Sequence, residues 1–218
     1  MAGRVIFLDF DGVLNTISWV HQRISLNLRS DLDSICTPLD PVRCSRLQSL
    51  CDQTQAQIVF ITGWRRHAST EALTQVLRAG GVTAQVNGSI GLVPQGLRAV
   101  GVLRTWFDHR AVITREWLEN HPEVTHFVVL DDDSLMWRAR LSKEQKSEDL
   151  DSWGLPLAVD TAWGRMPGWL GPRFICPHNG LEDVHVNSAV SVLANDQPLE
   201  GLSYETRPQR DSASRGVR

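Results

Sequence analysis

The sequence predicts an α/β domain in which a mostly parallel central sheet is flanked by helices. Three observations predict it. Short, continuous apolar runs recur at Val5–Leu8, Ile58–Ile61 and Phe127–Leu130, the pattern of strands buried on both faces. Segments with helical spacing of apolar residues separate these runs. Each run stops abruptly at a polar group: Asp9, Thr62 or Asp131.

Taken in order, Val5–Leu8 is the first strand. Residues 15–40 are mixed and weakly periodic and read as a candidate insertion. Asp40-Pro41 then starts a helix, with Asp as cap and Pro in the first turn, carrying Val42, Leu47, Leu50 and Cys51. Ile58–Ile61 is the second strand. Ser69 or Thr70 caps a helix whose inner face is Ala72, Leu73, Val76 and Leu77, and Gly80-Gly81 ends it. Val82–Val86 reads as a third strand and residues 87–109 as a long connection. A helix from about Arg110 stops at His121-Pro122, and Phe127–Leu130 is the fourth strand. Leu155–Val159 and Arg173–Cys176 are further strand candidates, and a last helix covers about 182–194. From Asn195 the apolar content drops and arginines sit among Ser, Pro and Gly, so residues 1–194 are expected to form one domain and 195–218 a disordered tail.

The chain has 218 residues, of which 42% are hydrophobic and 22% charged, enough for one domain with a sizeable core. A net charge of −3 gives no basis for a strongly basic nucleic-acid surface, although a local basic groove stays open. The four cysteines contain no Cys-x-x-Cys pair, and the seven histidines show no zinc-ligand spacing. Cys44, Leu47 and Cys51 share a helix face, which favours buried thiols. The N-terminal apolar run is too short for a signal peptide, and no stretch approaches the ~20 apolar residues of a membrane span. The expectation is a soluble, cytoplasmic protein with no membrane association and no obligate protein partner.

In a parallel sheet, ligands bind at the carboxyl ends of the strands. Asp9, Asp11, Thr62 and the Asp131–Asp133 run all fall there. Asp9 and Asp11, two residues apart on an extended end, point the same way and repel unless a cation lies between them. A hard cation such as Mg²⁺ resolves that conflict. An Asp carboxylate can also attack phosphorus. Gly12 would let the backbone turn and approach a phosphate. The acids at 131–133 repeat the conflict at a second strand end, with Asp133 placed to cap the short helix that follows.

Val5-Ile6-Phe7-Leu8-Asp9-Phe10-Asp11-Gly12-Val13-Leu14-Asn15 resembles the first motif of the haloacid dehalogenase (HAD) superfamily of phosphotransferases. The resemblance implies a Rossmann-like HAD fold with a small or minimal cap, inserted at 15–40 and 87–109. It implies that Asp9 is the nucleophile and Asp11 the general acid and base. Dehalogenases themselves lack the second acid, so Asp11 argues for phosphate chemistry. Thr62 matches the hydroxyl residue of the second motif. Gly63 beside it is a candidate substrate contact, and Arg65 or Arg66 could reach substrate phosphate by a bidentate contact. The third motif needs a cation. Lys143 and Lys146 come too late in the chain, so Arg110 is the best match, with Arg104 and Arg115 as rivals. In the fourth motif Asp132 matches the usual Mg²⁺ ligand and Asp131 ligates or orders a water, joining Asp9 and Asp11 as metal residues.

Leu8–Asn15, Thr62-Gly63-Trp64-Arg65, Arg110, Trp117-Leu118, Leu130–Asp133 and Asn179-Gly180-Leu181 together are most similar to the HAD domain of Swiss-army-knife RNA repair proteins. The expected function is Mg²⁺-dependent phosphomonoester hydrolysis through an aspartyl phosphate on Asp9. The substrate is a phosphorylated small molecule or a polynucleotide end. A 3′-phosphatase-type repair enzyme and an inactive phosphate-binding relative are the alternatives. Trp19, Trp64 and Trp106 could stack on a base or simply pack.

Overall fold

The computed structural model describes residues 3–25, 38–91, 110–137, 139, 141, 144–151, 155–162 and 164–194. Strand β1 (Gly3–Leu8) is the middle of a five-stranded sheet. Strands β2 (Gln57–Phe60) and β4 (Val124–Leu130) flank it, while β3 (Val86–Ser89) and β7 (Phe174–Ile175) form the edges. Every pairing in this sheet is parallel. Two short strands, β5 (Val159–Thr161) and β6 (Gly164–Met166), pair antiparallel in a separate hairpin.

Both faces of β1 are buried because its side chains alternate between two cores. Ile6 and Leu8 join a core with α2 (Pro41–Thr54), α3 (Thr70–Ala79) and α5 (Asp183–Ala194). Val5 and Phe7 face α4 (Arg110–Glu119), Trp137 and Trp169. Each such side chain contributes roughly 1.5–3 kcal/mol on burial, so neither face can be opened cheaply. Helix α2 begins where Asp40 accepts a hydrogen bond from the Val42 N–H and Pro41 occupies the first turn. Ser69 caps α3 by accepting from the Ala72 N–H. A further helix, α1 (Ile17–Ser25), follows the first strand end.

The register matters most for function. Leu8 pairs with Phe60 on one side and Leu130 on the other, and Leu130 pairs with Ile175. The ladder runs one residue further, with the Asp9 N–H donating to Leu130 O, Ile61 N–H to Leu8 O and Asp131 N–H to Ile175 O. Four strands therefore stop on one line, and the residues after them emerge side by side.

Two expectations need correction. The third strand is Val86–Ser89, not Val82–Val86. Val82 remains tied to the end of α3 through its N–H to Leu77 O, and pairing with β2 recruits Asn87-Gly88-Ser89 despite poor intrinsic strand preference. The strand expected at 155–159 starts only at Val159, because Pro156 cannot donate to a ladder. The candidate insertion at 87–109 lies outside the described residues from 92 onward, as do residues 26–37, Arg104, Trp106, Cys36 and the tail from 195. Among the described residues no helix is long and apolar enough to cross a membrane.

Candidate active site

Asp9 follows β1 directly and is 3% exposed. Its Oδ1 accepts from the Phe10 N–H at 2.8 Å, and its Oδ2 accepts from Arg110 Nη1 at 2.6 Å. Arg110 opens α4, so the helix on one sheet face delivers a cation over the end of the central strand. The same Nη1 reaches Asp131 Oδ2. Asp131 is fully buried and also accepts from Trp137 Nε1 at 2.7 Å and from the Asp133 N–H at 2.9 Å. Burial pushes the Asp131 carboxyl up, against the pull of Arg110.

One carboxylate oxygen from each of Asp9, Asp131 and Asp132 lies within 4.8 Å of the others. Like charges at that separation repel by roughly 3–4 kcal/mol per pair at an effective dielectric constant near 20. Arg110 supplies one positive charge against three negative ones. The Asp132 carboxylate accepts no hydrogen bond from a described residue, and its pKa is pushed up to about 7 by burial, then by Asp131, Asp9 and Asp133. An all-oxygen set with a residual charge near −2 suits a hard divalent cation. Asp9, Asp131 and Asp132 are the residues that would hold it.

Gly12 is explained by the same cluster. Its φ is +71°, and a Cβ there would lie 2.0 Å from Asp132 Cγ and Oδ2. The missing side chain makes room for Asp132, whereas the sequence suggested room for substrate.

The expected site residues divide. Thr62 is fully buried at the end of β2, where its Oγ1 accepts from the Trp64 N–H at 3.4 Å and opens the short 3₁₀ turn Gly63–Arg66. Among the described residues, a Cβ on Gly63 would meet nothing within 4 Å. Asp11 does not join the acidic cluster through its carboxylate. Its Oδ2 accepts from Trp64 Nε1 at 2.8 Å and its Oδ1 from Asn15 Nδ2 at 3.2 Å. Burial raises its pKa, opposed by the Trp64 hydrogen bond.

Arg65 lies in the same turn as Trp64. Its Nε donates to Thr62 O, its Nη1 to Ile90 O and Gly91 O, and its Nη2 to Ile61 O. A guanidinium so committed ties the ends of β2 and β3 together. Asp133 caps the turn Ser134–Trp137 by accepting from the Leu135 N–H, as expected. Arg115 pairs with Glu119 and, at 2.7 Å, with Asp151. Trp19 donates to Pro38 O at 2.7 Å.

Sequence reasoning missed four contributors. Asn15 and Trp64 hold Asp11. Trp137 donates to Asp131, and the Cys176 thiol donates to Asp132 O at 3.1 Å. Cys44 and Cys51 are buried, with thiols pushed up to about 12 by burial. Beside the acids lies a cleft of about 540 Å³, lined by Asp11, Asp132, Thr16, His21, His178 and Asn179 among others.

A parallel sheet with acids at the ends of β1 and β4, a hydroxyl at the end of β2 and a cation from the intervening helix defines a HAD-type α/β domain. The chain belongs to the family described as the HAD domain in Swiss Army Knife RNA repair proteins, which matches residues 5–147. No curated protein and no solved structure matches the chain.

Proposed function

We propose that the protein is a magnesium-dependent phosphomonoester hydrolase that works through an aspartyl phosphate on Asp9. The observation that carries this reading is the convergence of Asp9, Asp131 and Asp132 within 4.8 Å around one arginine. A bound Mg²⁺ would offset charge on the phosphoryl oxygens. Asp9 attacks phosphorus in line, forming a new P–O bond as the bond to the leaving oxygen breaks. Asp11 gives its proton to that oxygen. Water then attacks the aspartyl phosphate, Asp11 takes the water's proton, and inorganic phosphate leaves with the Asp9 carboxylate restored. Arg110 and the Thr62 hydroxyl hold the equatorial oxygens. Arg110 also keeps Asp9 oriented.

The cleft beside Asp11 is the place for the leaving group, and 540 Å³ is within the usual range for ligand pockets of ~300–1,000 Å³. A phosphorylated polynucleotide end is the second reading, favoured by the family's description as RNA repair proteins.

The test is turnover of p-nitrophenyl phosphate and of a 3′-phosphorylated oligonucleotide, with and without Mg²⁺, by wild type and Asp9→Asn. Metal-dependent release of phosphate that disappears in a folded Asp9→Asn variant is the expected result. Full activity in that variant refutes the nucleophile. Tight binding of a fluoride-based phosphoryl mimic without any hydrolysis refutes the enzyme and favours a binding module. A markedly higher kcat/KM for the oligonucleotide selects the second reading.

A further inference from the structure

We propose that Trp64 is a positioning residue. Its indole N–H holds the Asp11 carboxylate toward the cleft, so that the proton of Asp11 is delivered to the leaving oxygen. The inference rests on the phosphatase reading and extends it to a residue from a different strand end.

Three features fix the geometry. Trp64 sits in the 3₁₀ turn that Thr62 opens. Its ring stands edge-on to Phe10, with centroids 5.3 Å apart at 85°, and Phe10 is wedged in turn against Phe60 at 5.4 Å. From that seat Nε1 reaches across the two strand ends to Asp11 Oδ2 at 2.8 Å. Asn15 closes the other side. The Gly12 N–H donates to Asn15 O and the Asn15 N–H to Phe10 O, so a tight turn sets its Nδ2 against Asp11 Oδ1. Among the described residues the Asn15 Oδ1 is buried without a partner. While Asp11 is ionised, the opposite amide orientation would place two acceptors face to face, so this arrangement keeps a donor on Asp11 although an acceptor is stranded.

The chemistry follows from the donor types. An indole N–H and an amide N–H can donate but cannot accept. Neither can take the Asp11 proton, so the outlet that remains is the cleft that Asp11 lines. A purely packing tryptophan would need only the ring on Phe10.

Trp64→Phe separates the two roles because it keeps an aromatic edge and removes the N–H. The measurement is kcat/KM, which reports the steps up to phosphoenzyme formation, for two esters at saturating Mg²⁺. Glycerol 2-phosphate has an alkoxide leaving group that needs a proton, whereas p-nitrophenolate leaves with little help. The expected result is a fall of roughly 10- to 100-fold for the alkyl ester and under about 3-fold for the nitrophenyl ester, a share of the ~10²–10⁴ that general acids supply. Asp11→Asn provides the reference pattern, with the same imbalance in stronger form. Asn15→Ala, read in the same way, gives a second and independent variant if Trp64→Phe does not fold. Equal losses for both esters, or no loss, would overturn the positioning role while leaving the phosphatase reading intact. A wild-type protein that hydrolyses neither ester overturns that reading, and this inference with it.

Discussion

Replacing Asp132 by Asn should stabilise the metal-free protein while removing its function. The reasoning starts from the acidic cluster. Burial, and then Asp131, Asp9 and Asp133, raise the Asp132 pKa from 3.8 to about 7. A carboxyl raised in this way binds its proton more tightly when folded than when unfolded. Its contribution is therefore favourable at low pH and is lost as pH climbs from about 4 to about 7. A shift of that size corresponds to about 4 kcal/mol if fully expressed, but Asp132 is only partly buried, and screening reduces the realistic figure to roughly 1–2 kcal/mol. For a domain of this size that is roughly 2–8 °C in Tm.

Thermal melts at pH 5 and pH 7.5, with EDTA and with Mg²⁺, test it. In EDTA at pH 7.5, Asp132→Asn should melt above wild type, and the gap should narrow to less than half at pH 5. With Mg²⁺ at a hundredfold its Kd, wild type gains about 2.7 kcal/mol. The variant gains far less, so the order reverses. A variant no more stable than wild type in EDTA at pH 7.5, or one that gains as much from Mg²⁺, would refute the claim that Asp132 sits in an unrelieved cluster of negative charge.

Gly12→Ala should weaken Mg²⁺ binding by at least 10-fold, in the range typical of residues that position a ligand. It adds strain of about 1–2 kcal/mol at its left-handed φ, and titration calorimetry reads the binding loss. Gly63→Ala is the contrasting case. Its Cβ meets no atom of the described residues, so stability should hold to within about 0.5 kcal/mol while KM rises, and an unchanged KM would exclude phosphate contact there. Arg65→Lys should cost roughly 1–3 kcal/mol by stranding carbonyls of Ile61, Thr62, Ile90 and Gly91, seen as a lower denaturant midpoint. A hundredfold loss of kcat/KM at unchanged stability would instead make Arg65 a substrate ligand.

The central strands were legible because burial on both faces demands continuous apolar runs, and Val5–Leu8 and Phe127–Leu130 have no competing pattern. The Asp131 and Asp132 positions were legible because they follow such a run without an intervening turn. The edge strand β3 was not. Asn87-Gly88-Ser89 becomes a strand only because β2 offers it a partner, which no local signal carries. Arg65 shows the same limit, because its bonds to the carbonyls of Ile61, Thr62, Ile90 and Gly91 depend on two strand ends meeting, which no local signal carries. Trp64 and Asn15 carried motif value in the sequence, but their contacts to Asp11 depend on the spacing of two strand ends 53 residues apart and on a five-residue turn.

The same comparison explains how two acids in one tripeptide can take different roles. An extended end places Asp9 and Asp11 on one side, with Phe10 driven into the core between them. Chemically they begin as equals, and the fold makes them unequal by what it sets against each. Asp9 meets a guanidinium and shares it with a second buried carboxylate, so its negative charge is compensated, which suits the nucleophile role proposed for it. Among the described residues Asp11 accepts hydrogen bonds from neutral donors alone, and beside the cleft desolvation raises its pKa and favours holding a proton. Pairs of carboxyl groups whose surroundings divide them in this way separate acid–base work from nucleophilic work. Exchanging the two environments, rather than the two residues, would exchange the roles.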